Sequence, residues 1–172
     1  MSLFKNSLRV KSTSTTLGHF LFLHQEGQLF LDAEYQREYV WQAAQQQALL
    51  KSIFDSQPID SVAVSINEKE VAKYCEIVDG KQRLTTLIKF RAGEFPYILE
   101  DGTEIFHADM DAPDQIQFKH TRLTSNELHP HNGEPISEAA KIEYFLQKNF
   151  GGVPQSEEHR LKVEKMKMLA NK

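Results

Sequence analysis

Residues 75–90 read CEIVDGKQRLTTLIKF. Apolar residues at consecutive positions predict an internal strand over 73–78, buried on both faces. Leu84, Leu87, Ile88 and Arg91 then share one stripe, which predicts a helix from about 80 to 92, ended by Gly93. Between the two, Asp79 is a favoured N-cap, Gln82 stands at the capping-box position, and Gly80 relieves a tight turn. A plain strand-to-helix turn accounts for those three residues without a ligand. It does not account for Lys81 and Arg83, because cations in a first turn oppose the helix dipole. The free N–H groups of a helix N-terminus attract anions. Two cations there suit a phosphate, which Arg83 would grip with two hydrogen bonds. Asp79 then suits a divalent cation, and Gln82 a water or a ribose hydroxyl. The spacing is neither a Walker A loop nor a Rossmann glycine fingerprint.

The flanking sequence gives the rest of the plan. SVAVSI (61–66) alternates and is β-branched, a strand; LFL (29–31) is a shorter one. QAAQQQALLKSIFDSQ (42–57) predicts a helix with Leu49, Leu50, Ile53 and Phe54 on one face, finished before Pro58. KSTSTT (11–16) reads as a polar lead-in to a short helix over 14–25 carrying Leu17, Phe20, Leu21 and His24. Downstream, YILEDGTEIFH (97–107) predicts a hairpin with a two-residue turn at Asp101-Gly102. Residues 108–134 read as irregular and polar. Ser137 would cap a helix whose buried face is Ala140, Phe145, Leu146 or close neighbours. NFGGVP (149–154) is a sharp loop, and Ser156 caps a last helix with Glu157 and Glu158 in its first turn. The expectation is one α+β domain over 1–172, a small mixed sheet surrounded by helices, with loose ends at 1–13 and 167–172.

The composition of this 172-residue chain, 40% apolar and 26% charged, is that of a globular protein. A net charge of −4 argues against a basic nucleic-acid binder as a whole. The charge is uneven. Residues 94–118 hold seven acids and no Lys or Arg, whereas Lys5, Arg9 and Lys11 stand without acids. Arg160, Lys162, Lys165, Lys167 and Lys172 face only Glu164, a run whose simplest reading is a solvated helix face. Cys75 is the single cysteine, so no internal disulfide forms and a buried, inert thiol is expected. No signal peptide is evident and FLFL (20–23) is too short to span a bilayer, so a cytoplasmic protein with no membrane partner is expected. His107, Asp109 and Asp111, or His129 and His131, lack a zinc spacing.

YQREYVW (35–41) interleaves Gln36 and Arg37 with aromatics. Taken alone, it reads as core Tyr35, Tyr39 and Trp41 with Arg37 paired to a surface acid; the sharper reading is a second phosphate or base contact. Three segments occur in order: FLDAEYQREYVW, EIVDGKQRLTTLIKF and FLQKNFGGVPQSEEH. Together they resemble the N-terminal domain of GmrSD-type restriction endonucleases over about residues 28–165, a domain similar to the ParB/sulfiredoxin fold. The resemblance implies nucleotide binding and hydrolysis tied to control of DNA cleavage in phage defence. Its DGQQR-like motif falls on Asp79, Gly80, Lys81, Gln82 and Arg83. It implies catalytic roles for Asp79, Gln82 and Arg83, and phosphate contacts from Gln36, Arg37, Gly80, Lys81, Asn149, Gly151 and Gly152. A nucleoside triphosphate is the implied substrate or effector, with Mg²⁺ at Asp79. Ala33 replaces a common proline and Lys81 a common glutamine. The family's C-terminal His-Asn-His nuclease domain has no room in this length, so DNA and a separate nuclease subunit are the expected partners. Two alternatives stand beside the hydrolase: a sensing module without turnover, and a ParB-like nicking nuclease. Arg83 is the expected best test, because no structural role for it is evident in the sequence.

Overall fold

The computed structural model describes residues 8–130, 136–150 and 157–170. In chain order the elements are β1 (Leu8–Thr16), α1 (Leu17–Gln25), β2 (Leu29–Phe30), α2 (Ala43–Phe54), β3 (Val62–Ile66), β4 (Cys75–Asp79) and α3 (Lys81–Arg91). They continue as β5 (Tyr97–Ile98), β6 (Glu104–Ile105), α4 (Ala112–His120), β7 (Arg122–Pro130), α5 (Glu138–Phe150) and α6 (Glu157–Ala170). The fold is α+β. Five strands form a mixed sheet in the order β1-β7-β3-β4-β2, and β5 and β6 form a separate hairpin.

The consecutive apolar residues of β3 and β4 follow from helices on both faces of the sheet. On one side Val62, Val64, Cys75 and Ile77 meet Leu17, Phe20, Leu50, Leu84, Leu87, Phe90 and Phe118 from α1, α2, α3 and α4. On the other, Ala63 and Val78 meet Tyr35, Ile142, Phe145 and Val163, which brings α5 and α6 over the sheet. β4 lies between β3, antiparallel to it, and β2, parallel to it. Cys75 is buried as expected, and burial, aided by Glu127 and Glu76, pushes its thiol up to about 12. Buried charge is paired: Tyr35 donates to Glu76 Oε1 at 2.8 Å, and Lys141 of α5 caps the other carboxylate oxygen. Burial first, and then the neighbouring Glu76 carboxylate, holds the Tyr35 hydroxyl well above its usual range.

Four local expectations are corrected. KSTSTT does run into the helix, with Thr16 as its N-cap, but not as a loose polar lead-in. It lies within the nine-residue strand β1, paired along its length with β7, so residues 8–13 belong to the sheet and the helix starts only at Leu17. Residues 108–134 are not irregular throughout: α4 and β7 occupy them. α4 opens with Asp111 accepting from Asp114 N–H at 2.9 Å and Pro113 in the first turn, both sequence-readable start signals. β1 and β7 escape pattern reading because polar pairs join them, Ser12 to Asn126 at 2.6 Å and Thr13 to Glu127 at 3.0 Å. The hairpin turn holds three residues rather than two. Gly102 N–H reaches the Leu99 carbonyl and Leu99 N–H the Thr103 carbonyl, both at 2.9 Å, with Gly102 at φ +85°. Finally, Asp79 does not cap α3. Gly80 is the N-cap, in a left-handed conformation, and Gln82 turns away from the helix start. In α5 the buried face is Ala139, Ile142 and Phe145, close neighbours of the expected set, and Ser137 Oγ accepts from Ala140 N–H at 3.3 Å. Ser156 lies outside the described residues.

Candidate functional site

β4 ends at Asp79, where the chain turns at Gly80 (φ +100°) directly into α3. The turn is tight: a Cβ on Gly80 would stand 2.8 Å from Val62 Cγ1. With glycine as N-cap, α3 has no side-chain cap for its first-turn N–H groups among the described residues. A cleft of about 120 Å³ lies over this helix end, lined by Gln36, Arg37, Trp41, Asp79, Gly80, Lys81, Gln82, Arg83, Phe145 and Asn149.

The described sequence-predicted residues thus surround one cleft, although three segments of chain supply them. Gly151 and Gly152 lie outside the described residues. Asn149, in the last turn of α5, donates to Asp79 Oδ1 at 3.4 Å and to the Phe145 carbonyl at 3.0 Å. Lys81 is buried and reaches Asp32 Oδ1, an exposed carboxylate, at 3.0 Å. Arg37 is exposed and makes no ion pair among the described residues, so the surface acid expected to pair with it is not there.

Three side chains have structural duties that the sequence did not reveal. Arg83 Nη2 donates to the Ser61 carbonyl at 2.7 Å and faces Asp79 at 3.4 Å, while Nη1 stands 3.7 Å from Asp60. Arg83 therefore ties α3 to the chain ahead of β3, and its Nε is buried without a partner. Gln82 accepts from Val40 N–H and donates to the Glu38 carbonyl, both at 2.9 Å. Gln36 is buried and donates to the Ile77 carbonyl. Tyr39 adds a hydroxyl contact to Thr86 at 2.9 Å. Residues 36–40 are thereby strapped to β4 and α3, which sets Arg37 beside the helix start.

Sequence reading missed Trp41 as a wall of the cleft, and missed Tyr144, whose hydroxyl is pushed up by burial and by the nearby Asp79 carboxylate. It also missed α6. A second cleft of about 500 Å³ shares Gln36, Arg37 and Lys81 with the first and adds His159, Lys162 and Met166. A larger cavity, about 770 Å³ between the 32–34 and 65–76 segments, does not include the start of α3. Among the described residues no group of three His, Cys, Asp or Glu is placed to hold a metal ion, and no helix is long and apolar enough to cross a membrane.

Comparison with curated proteins found no match, and comparison with solved structures found none either. Comparison with protein families matched the GmrSD restriction endonuclease, N-terminal domain, over residues 18–170, a span that takes in the strap, the β4–α3 turn and the end of α5. The chain belongs to the GmrSD restriction endonuclease N-terminal domain family, and its context is restriction.

Proposed function

We propose that the chain binds the phosphates of a nucleoside triphosphate at the start of α3 and hydrolyses it, as a ParB-like module acting with DNA and a separate nuclease. The observation that carries this reading is the glycine-capped helix end with Lys81, Arg83 and Arg37 around it, Arg37 being without an ion pair among the described residues. Backbone N–H groups and three cations suit the charge that gathers on a transferring phosphoryl group. Arg37 and Lys81 would bind phosphate oxygens, Lys81 exchanging its exposed Asp32 partner for the ligand. Asp79 is a single carboxylate beside the cleft, which fits Mg²⁺ held mainly by nucleotide oxygens and water. Mg²⁺ would supply charge neutralisation there. Gln36 and Gln82 position the strap. A reading as a sensor without turnover has one observation in its favour: both Asp79 oxygens already face donors, Arg83 and Asn149.

A nucleotide panel screened by thermal shift, with and without Mg²⁺, tests binding. At least one triphosphate is expected to raise Tm; a flat panel sinks the proposal. Phosphate release then separates hydrolase from sensor, and a plasmid nicking assay exposes a nuclease. Arg37→Ala is the sharpest variant. It is expected to weaken nucleotide binding about tenfold or more, the loss of one charged hydrogen-bonding partner, while the unliganded Tm stays put.

A further inference from the structure

The cleft over α3, about 120 Å³, is smaller than the roughly 300–1,000 Å³ of small-molecule sites and has room for little beyond a phosphoryl group. The adjoining cleft of about 500 Å³ lies within that range, and the two are joined through Gln36, Arg37 and Lys81. Its far wall is α6: His159, Lys162 and Met166. Lys162 is exposed and makes no ion pair among the described residues, although Glu34 and Glu38 line the same cleft. α6 is anchored from behind by buried Val163 and by Lys167 to Glu143 of α5 at 3.4 Å. The helix that carries Lys162 is therefore held in place.

We propose that the ligand of the α3 site extends into this second cleft, where Lys162 and His159 contact it, so that α6 forms half of a site for a polyphosphate nucleotide. The proposal rests on the reading of the α3 start as a phosphate site and adds a subsite to it. Cations run from Lys81 through Arg37 to Lys162, a path for a chain of phosphates. Glu34 and Glu38 offer acceptors for ribose or base donors, and Met166 an apolar surface for a ring. The His159 imidazole is held below its usual range by burial and by the fields of Arg37 and Lys162, which agrees with one shared cationic locus.

Isothermal titration with the mono-, di- and triphosphate of one nucleoside tests this on the wild type, Lys162→Ala, Lys162→Arg and Arg37→Ala. The wild type is expected to prefer triphosphate to monophosphate. Lys162→Ala should lose about tenfold for triphosphate with little change for monophosphate, and Lys162→Arg should restore the preference. Hydrogen exchange of α6 should slow when triphosphate binds. If Lys162→Ala binds triphosphate like the wild type while Arg37→Ala is weakened, the α6 subsite is wrong and the α3 reading stands. If the wild type binds no nucleotide, both fall. Circular dichroism of each variant separates lost binding from lost fold.

Discussion

Gly80 meets two demands that no other residue meets together. Its φ of +100° is a conformation side chains rarely adopt, and a Cβ there would press to 2.8 Å against Val62 Cγ1, inside the packed layer. Gly80→Ala is expected to destabilise the fold by about 1–3 kcal/mol, read from urea denaturation, because strain and overpacking add. Wild-type stability in that variant would mean the turn relaxes freely. Arg83 carries the opposite lesson. The sequence marks it as a cation without a structural role, but the fold gives it the Ser61 carbonyl and two carboxylates. An Arg83 truncation would therefore confuse binding with stability, and the exposed Arg37 is the cleaner probe. Local patterning could not separate the two, since the Ser61 carbonyl and Asp60, which help to brace Arg83, lie on a segment distant in the chain.

At the scale of elements, the site depends on what fastens the 36–40 strap and α5 to the sheet. The buried run Tyr35–Glu76–Lys141 joins the strap's start, β4 and α5. Glu76 and Lys141 side chains are only 10% and 15% exposed, so removing one partner strands the other charge in a place water cannot easily reach. Lys141→Ala is expected to cost about 3–5 kcal/mol, and adding Glu76→Gln should recover part of it. Additive losses in chemical denaturation would show that the pair is not coupled. The internal strands, α2 and α3 were legible because burial imposes period and β-branching on them. β1, β7 and α4 were not read, since β1 and β7 pair through hydroxyls and amides and α4 is short and polar. Cross-strand polar pairing leaves no hydrophobic period to find.

Across the whole molecule, two imidazoles couple the fold to pH, one buried and one half-buried. His107 is buried between Phe90 and Phe118, its Nε2 without a partner; burial and then Arg91 and Lys119 lower its affinity for a proton. His159 is lowered in the same way by burial and then Arg37 and Lys162. The unfolded chain, with histidine near 6.5, therefore binds more protons than the folded one just below that pH. Stability from these groups is whole above about pH 6.5 and drains as pH falls. Tm is expected to drop between pH 7.5 and 5.5, and His107→Leu should flatten the slope; an unchanged slope would remove His107 as a cause. By itself the sequence determined the α+β class, the strand-to-helix turn at Asp79-Gly80, the inert cysteine and the family motifs. Each of these is set by local backbone limits or by burial that repeats along the chain. Only the tertiary structure decided that Gly80 caps α3, that Gln82 and Gln36 hold a strap, that Arg83 is braced from three sides, and that α6 adjoins the cleft. Those outcomes depend on which distant backbone groups and charges meet, and hydrogen bonds formed across 40 or more positions leave no period in the sequence.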